Sequence, residues 1–515
     1  MTAVLRDAHL WELIERRAAL TPDRRLAVDE DGRALTFAEY RDACERVAAG
    51  LAARGVGTGT RVSWQLPSWM ESVILIGALA RLGAVQNPML PIYREREMRF
   101  IAHQLAPAVW VVPSEWRGFD YGATAHAVAA ELPATEVLVW DRGDALPEGD
   151  PATLPPFVAP PPDATRWVFY TSGTTADPKG ARHTDATVIA AGLGVIDRTG
   201  IRPDDVAAVV FPITHVGGVL SLLEALATGS AFVLVEAFDP ATSIAVLARE
   251  GTSLVGAGTP FCLAYLAVQR RDPDTPLFPR ARMFPSGGMP KPPELFYEVK
   301  AELGGAGMVS GYGMTECPVC TMNDPADPDE RLAETEGRPT PGAELRIVTL
   351  AGGVAAPGEE GEIRVKAPQR FLGYLDPALD ADAFDADGFL RTGDLGVVDA
   401  EGYVTITGRV KDIIIRKGEN ISAQEVEDHL YAQPGVGDVA VIGLPDPVSG
   451  ERVCAVVVPA DPAAPPTLAD LTKALRARGL MVQKLPEQLE VVDDLPRNPT
   501  GKVLKHELRA RFTRS

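Results

Sequence analysis

Apolar and polar positions along the chain follow two alternating periods. Short runs rich in β-branched and aromatic residues at 61–66, 108–112, 136–140, 166–170, 207–211 and 231–236 predict strands. Between them, helical spacing of apolar residues predicts helices at 70–82, 122–131, 186–193, 217–227 and 241–250, with Thr184 or Asp185 as the N-cap of the third. This order predicts an α/β fold with a largely parallel, buried sheet, in which ligands lie beyond the carboxyl ends of the strands. Six prolines within 151–162 make an extended connector. Beyond residue 402 the pattern changes. β-like runs flank a short charged segment, and a helix at 424–431, strands at 438–444 and 452–459 and an amphipathic helix at 468–478 follow, the last capped by Thr467. That reads as a compact α+β unit.

Composition narrows the class. The 515 residues are 46% apolar and 23% charged, ordinary for a globular enzyme with one large composite domain and a smaller one. No apolar run approaches the roughly 20 residues of a membrane-spanning helix. Residues 1–20 mix charges into their apolar positions, unlike a secretory signal, and Phe512-Thr513-Arg514-Ser515 is not a peroxisomal address, so the cytoplasm is the expected location. A net charge of −20 argues against nucleic acid as a partner and leaves room for a phosphorylated ligand in a locally positive pocket. The five cysteines form no disulfide framework. Cys317 and Cys320 have redox or half-zinc spacing, but Cys44, Cys262 and Cys454 supply no second pair, so buried thiols lining a pocket are expected.

The most pointed chemistry lies in Tyr170-Thr171-Ser172-Gly173-Thr174-Thr175-Ala176-Asp177-Pro178-Lys179-Gly180. Four hydroxyls, two glycines that let backbone N–H groups approach closely and one mobile ammonium suit a polyphosphate cradle. The same composition also builds solvated turns. A Walker loop needs Gly-Lys followed by Ser or Thr, whereas Pro178-Lys179-Gly180 reverses that order. The stretch is expected to join a strand directly to a helix. In Gly311-Tyr312-Gly313-Met314-Thr315-Glu316 the ring suits stacking on a base, the hydroxyl a phosphate oxygen, and the carboxylate a hard cation such as Mg²⁺. Asp394, read as lying in a tight Gly-flanked turn, offers two acceptor oxygens for a ribose or for its own turn. Weaker signals are His215 at a strand-to-helix junction, the small-residue loop 256–260, and Gly287-Gly288, against which a flat base would fit. Residues 402–422 read as β-runs around a charged hinge, and Lys502 follows Thr-Gly in a Pro-containing turn.

In this order, over about 35–508, these stretches resemble the signatures of the adenylate-forming (AMP-binding) superfamily: acyl-CoA synthetases, luciferases and amino-acid-adenylating domains. The usual pattern has Gly where this chain has Ala176; if that position requires positive φ, Ala costs roughly 1 kcal/mol or more. The resemblance implies a large N-terminal domain (1–410) of doubly wound sheets with a distorted β-barrel part, and a small mobile α+β domain (411–515). It assigns Thr171, Ser172, Gly173, Thr174, Thr175, Lys179, Gly287, Gly288, Gly311, Tyr312, Asp394 and Arg409 to ATP or AMP. Lys502, Thr315 and Glu316 become catalytic, with Glu316 holding Mg²⁺, and His215, Gly258 and Gly313 border the acyl pocket. Lys411 becomes the hinge, and Lys417, Gly418, Glu419 and Asn420 a loop that serves coenzyme A.

The implied activity is an acid–thiol ligase: a carboxylic acid and ATP give an acyl adenylate and pyrophosphate, then coenzyme A displaces AMP. The version of the loop at 416–422 looks most like bacterial ligases for medium-chain or alicyclic acids, cyclohexanecarboxylate-type among them, and an aromatic acid fits the same expectation. No carboxylate is offered at 212–215 to hold a substrate ammonium, and no carrier-protein domain is evident, which disfavours the amino-acid branch. Two alternatives stand: an acyl-AMP ligase that loads a carrier protein, and a non-catalytic acyl- or nucleotide-binding regulator. The expected partners are a small carboxylic acid and coenzyme A, with no nucleic acid and no integral membrane segment; a homodimer is open.

Overall fold

The computed structural model describes residues 4–171, 178–256, 258–289, 291–417, 419–497 and 502–513. Two largely parallel sheets form the first half. In the seven-stranded sheet five parallel strands run in the order Trp167–Tyr170, Val85–Pro88, Arg61–Trp64, Val109–Val112, Glu136–Val139, and two antiparallel strands, Gly180–His183 and Gly373–Tyr374, extend the first edge. The second sheet aligns Val206–Val209, Ala231–Leu234 and Arg25–Asp29 in parallel and ends on antiparallel Ala34–Thr36. Helices such as Met70–Leu82, apolar on nearly every face and ended by left-handed Gly83, fill the space between the sheets. A third sheet holds Phe284–Gly287, Met308–Met314, Cys317–Met322 and Arg338–Pro339. The expected distorted barrel corresponds to the antiparallel sheet Glu344–Val348, Gly361–Lys366, Leu390–Val398, Val404–Arg409, an open run of four strands.

Residues 413–512 build a separate layer: Glu419–Ser422, Ile413–Arg416, Gly450–Pro459 and Val436–Asp446 in one sheet with Gln488–Val491, covered by helices Ala423–Tyr431, Leu468–Ala477 and Lys505–Phe512. Its two core clusters draw on residues 414–512 alone, whereas the other clusters draw on residues 5–404. Among the described residues no helix is long and apolar enough to cross a membrane.

Six elements position the site and take labels here: β1 (Trp167–Tyr170), β2 (Gly180–His183), α1 (Asp185–Thr199), α2 (Val216–Thr228), β3 (Met308–Met314) and β4 (Cys317–Met322). Thr184 and Thr187 close a capping box at the start of α1, the predicted N-cap. The far end of α2 is held by a buried arginine: Arg17 donates from Nε to the Leu226 carbonyl and from Nη2 to the Ala227 carbonyl, each at 2.7 Å. Those carbonyls belong to the last turn of the helix and have no intrahelical donor. Replacing Arg17 with Met keeps the stem but strips both bonds, and is expected to destabilise the fold by roughly 2–4 kcal/mol. An unchanged urea midpoint for Arg17→Met would contradict that role.

Candidate active site

The Ser/Thr/Gly stretch does not run from strand to helix as expected. It closes a hairpin: β2 returns antiparallel to β1 with Gly180 opposite Tyr170, and α1 begins only afterwards. The sequence hides β2 because a Gly-Ala-Arg-His run has little strand character. It is a strand because β1 and Gly373–Tyr374 pair with it on both sides. The mouth is tied by Thr171 N–H to the Lys179 carbonyl at 3.0 Å and Lys179 N–H to Thr171 Oγ1 at 3.3 Å. Ser172, Gly173, Thr174, Thr175 and Ala176 lie outside the described residues. Lys179 Nζ sits 5.3 Å from the centre of the Tyr374 ring, and the Tyr374 hydroxyl donates to Glu316 Oε1 at 2.6 Å. Lys179, Tyr374 and Glu316 therefore form one wall.

The second wall is the turn from β3 to β4. Gly311–Met314 are the end of β3, and Thr315-Glu316 make the turn. His183 of β2 fixes it, donating from Nε2 to the Thr315 carbonyl at 2.8 Å. The glycines are steric necessities: a Cβ on Gly313 would lie 2.2 Å from the Val319 nitrogen, and one on Gly311 would lie 2.5 Å from Met322 Sδ. Val319 itself has φ +44, a costly conformation for a β-branched residue. On the neighbouring strand a Cβ on Gly287 would lie 2.7 Å from the Gly311 carbonyl oxygen, so the third sheet closes tightly beneath the site, and Gly288 follows at φ +77.

Asp394 joins this wall to the antiparallel sheet. It lies within the nine-residue strand Leu390–Val398 and not in a free turn, because the strand continues through left-handed Gly393 and a register shift. Tyr312 donates its hydroxyl to Asp394 Oδ2 at 2.7 Å, and Arg409 Nε meets Oδ1 at 2.6 Å. Burial pushes the Tyr312 phenol well above its ordinary range, with Asp394 adding to it. Burial works against the Arg409 charge, but Asp394 offsets it and holds the guanidinium above its usual value.

The C-terminal layer faces these walls. Lys411 is the middle of a 3₁₀ turn, Val410–Asp412, directly after Arg409. The Ser422 hydroxyl bonds the Thr407 carbonyl and Arg478 meets Glu294 at 3.6 Å, so the two parts are docked, and within the smaller one Arg509 Nη2 holds Asp412 Oδ1 of the turn at 3.0 Å. Lys502 keeps exposed surface at the mouth of the cleft, with protein on its other sides. That burial, and then Arg409, pull its ammonium below the ordinary lysine range, against Asp394 and Glu316, which favour the charge. Lys417 heads a hairpin turn at φ +52, its N–H bonded to the Ser449 carbonyl at 2.7 Å, and Glu419 pairs with Arg416 within the C-terminal sheet. Gly418 lies outside the described residues, and Asn420 pairs by its backbone with Ile415.

His215 is the N-cap of α2, its Nδ1 accepting the Gly217 N–H at 3.1 Å. Burial, followed by the charge of Lys502, lowers it to about 4, so it is neutral and within electrical reach of that lysine. Gly258, at φ +107, caps helix Thr259–Gln269 with its Cα facing Met289. Cys317 and Cys320 are buried free thiols of the core beside β2, not pocket walls. Tyr374 and His183 were missed by the sequence reading. The only local cue for Tyr374 is the preceding Gly373, where a Cβ would lie 2.5 Å from Asp380 Oδ2.

The donor set suits Mg²⁺, which takes one or two carboxylates and completes its shell with phosphate and water oxygens. Glu316 is such a carboxylate beside Lys179, and the described residues contain no group of three or more His, Cys, Asp or Glu that would form an all-protein cage.

The buried His183 imidazole carries a measurable acid liability. Burial lowers it from 6.5 to about 4, with the Thr315 bond opposing the shift. Between those values the unfolded chain binds a proton that the folded chain refuses. This group's contribution is therefore intact above pH 6.5 and is lost at about 1.4 kcal/mol per pH unit as pH falls towards 4. A His183→Gln variant, which retains a donor for Thr315, should lose stability less steeply than wild type in denaturant titrations across that window. Parallel slopes would contradict the assignment.

The AMP-binding enzyme family matches residues 14–375, and its C-terminal domain matches 425–502. The medium-chain fatty-acid–CoA ligase of Escherichia coli K12 is 31% identical over 98% of this chain and 90% of its own. The salicyl-AMP ligase / salicyl-S-ArCP synthetase of Mycobacterium tuberculosis is 34% identical over 95% and 88%. Among solved structures, ATP-bound MatB from Rhodopseudomonas palustris is 30% identical, covers 98% of this chain and 99% of its own, and superposes with a TM-score of 0.87; its apo form gives 0.76. With both walls, both domains and this extent of similarity in place, the chain belongs to the AMP-binding enzyme family.

Proposed function

We propose that the chain is an ATP-dependent acyl-CoA synthetase, acting on a medium-chain, alicyclic or aromatic carboxylic acid. One observation carries the reading: Lys502, from the C-terminal layer, faces the wall that holds Asp394, Arg409 and Glu316. In the first step the substrate carboxylate attacks the α-phosphorus of ATP and pyrophosphate leaves. Both reactants are anionic, so positive charge must be fixed where the transition state develops. Lys502 and Lys179 would supply it, with the hydroxyls of Thr171 and Thr315 as further donors. Asp394 binds the ribose, and Tyr312 and Gly287-Gly288 border the base. A Mg²⁺ ion on Glu316 would add charge against the phosphates.

In the second step the thiol of coenzyme A attacks the acyl carbonyl and AMP leaves. Lys502 is not needed there, and the loop at 417–420, which in this arrangement pairs within its own sheet, would take its place after rotation about Lys411. The E. coli relative is named for a CoA ligase and supports coenzyme A as acceptor. The M. tuberculosis relative, named for both a salicyl-AMP ligase and a salicyl-S-ArCP synthetase, favours the second reading, an acyl-AMP ligase that loads a carrier protein.

Pyrophosphate release across acids from acetate to decanoate, benzoate and cyclohexanecarboxylate, with and without coenzyme A, tests the reading. Acid-dependent release with thioester formation is expected; release without thioester would favour the carrier-protein reading, and no release despite ATP binding would contradict both. Lys502→Ala should slow adenylation by on the order of 100-fold or more while sparing thioester formation from a supplied acyl adenylate. Equal loss of both would contradict a role confined to the first step. Lys411→Pro should do the reverse, and loss of adenylation would count against a pure hinge.

A further inference from the structure

Lys502 stands just ahead of the terminal helix Lys505–Phe512. Val503 bridges to Arg497 and the Leu504 N–H donates to the Pro496 carbonyl at 2.7 Å, so the backbone beside Lys502 runs directly into that helix. Where the helix sits therefore decides where Lys502 sits. Its apolar side packs on the C-terminal sheet through Leu508 and Phe512. Its polar side enters a cluster of four charges: Lys505 Nζ meets Glu427 Oε1 at 2.7 Å, and Arg509 Nη2 meets Asp412 Oδ1 at 3.0 Å. Lys505 and Arg509 are four positions apart and share one face of the helix. Glu427, from helix Ala423–Tyr431, also accepts the Val441 N–H at 2.6 Å, and Asp412 ends the Val410–Asp412 turn. The side chains of Asp412, Glu427 and Lys505 are only 17%, 12% and 17% exposed, which sets the cluster apart from a surface ion pair.

Asp412 is the member of this cluster that stands in the turn, next to Lys411. Burial works against its charge, but Lys505 and then Arg509 outweigh it and hold the carboxyl below its ordinary range. The loop at 417–420 is held differently, by the backbone pairing of Glu419–Ser422 with Ile413–Arg416. Removing the Asp412 charge leaves two cations on one helix face sharing the single carboxylate of Glu427, while Leu508 and Phe512 still anchor the helix. The helix then shifts and stays folded. We propose that Asp412 is a positioning residue for adenylation: by holding Arg509 and Lys505 it ties the helix that follows Lys502 to the turn at Lys411, so that turn and lysine move as one body. Asp412 acts through Lys502, and the proposal rests on the ligase reading above.

The test separates the two half-reactions in the full chain, using the acid that wild type activates best: pyrophosphate release, and thioester formation from the matching acyl adenylate supplied with coenzyme A. Asp412→Asn keeps the shape and removes the charge. It should lower kcat for pyrophosphate release by roughly 10- to 100-fold with the KM for ATP unchanged, because a displaced Lys502 is missed chiefly in the transition state. Thioester formation should stay at the wild-type rate. Arg509→Gln should give the same split, and carries the test alone if Asp412→Asn does not fold; the double variant should lose no more than the worse single one. Equal loss in both half-reactions alongside a lowered urea midpoint would make the contact merely structural and overturn the proposal. Unchanged adenylation in both single variants, or losses that multiply in the double variant, would overturn it too. ATP binding by wild type with no release from any acid would instead overturn the ligase reading beneath it.

Discussion

The bracketed carboxylate of Asp394 is the constraint on which the rest depends. It is reached by the Tyr312 hydroxyl from the third sheet and by Arg409 from the strand that leads into the C-terminal layer. Those two bonds fix the angle between β3 and the antiparallel sheet, and so the start of the Val410–Asp412 turn from which the C-terminal layer departs. Lys502 feels the charges of Arg409, Asp394 and Glu316 because the smaller layer lies against the wall that holds them. A charge-assisted bond in a partly buried setting is worth more than an exposed ion pair, so this joint is a firm one.

A second constraint is backbone closeness at the Thr315-Glu316 turn. Gly287, Gly311 and Gly313 leave no room for a Cβ, and Val319 accepts a left-handed conformation opposite them. Strain of this kind persists where surrounding structure over-determines it. Here the surroundings are His183 on the Thr315 carbonyl, Tyr374 on the Glu316 carboxylate and the Phe371 N–H on the Glu316 carbonyl at 2.8 Å. The turn is thereby held by contacts from three other segments of the chain.

What the sequence made legible follows the distance over which each feature is written. The motifs around Tyr312, Asp394, Arg409 and Lys502 are contiguous, so their residue types and order could be read directly, and long helices such as Met70–Leu82 carry their period in plain view. Features that exist only through tertiary pairing were misread or missed. β2 is a strand only between two partners, Asp394 continues a strand through a glycine that reads as a turn, and Tyr374 meets Glu316 across 58 positions.

In the proposed cycle the two layers form one adenylating site in this docked arrangement and separate for the second step. Because all five native cysteines are buried, spin labels can be directed to cysteines introduced at Leu20 and Val482, which are 53% and 63% exposed in the two parts. The distance distribution between them, read by pulsed electron resonance, is the direct measurement. One dominant distance is expected with ATP bound, and a second population once an accepted acid, ATP and coenzyme A are all present. A distribution identical in both conditions would contradict it.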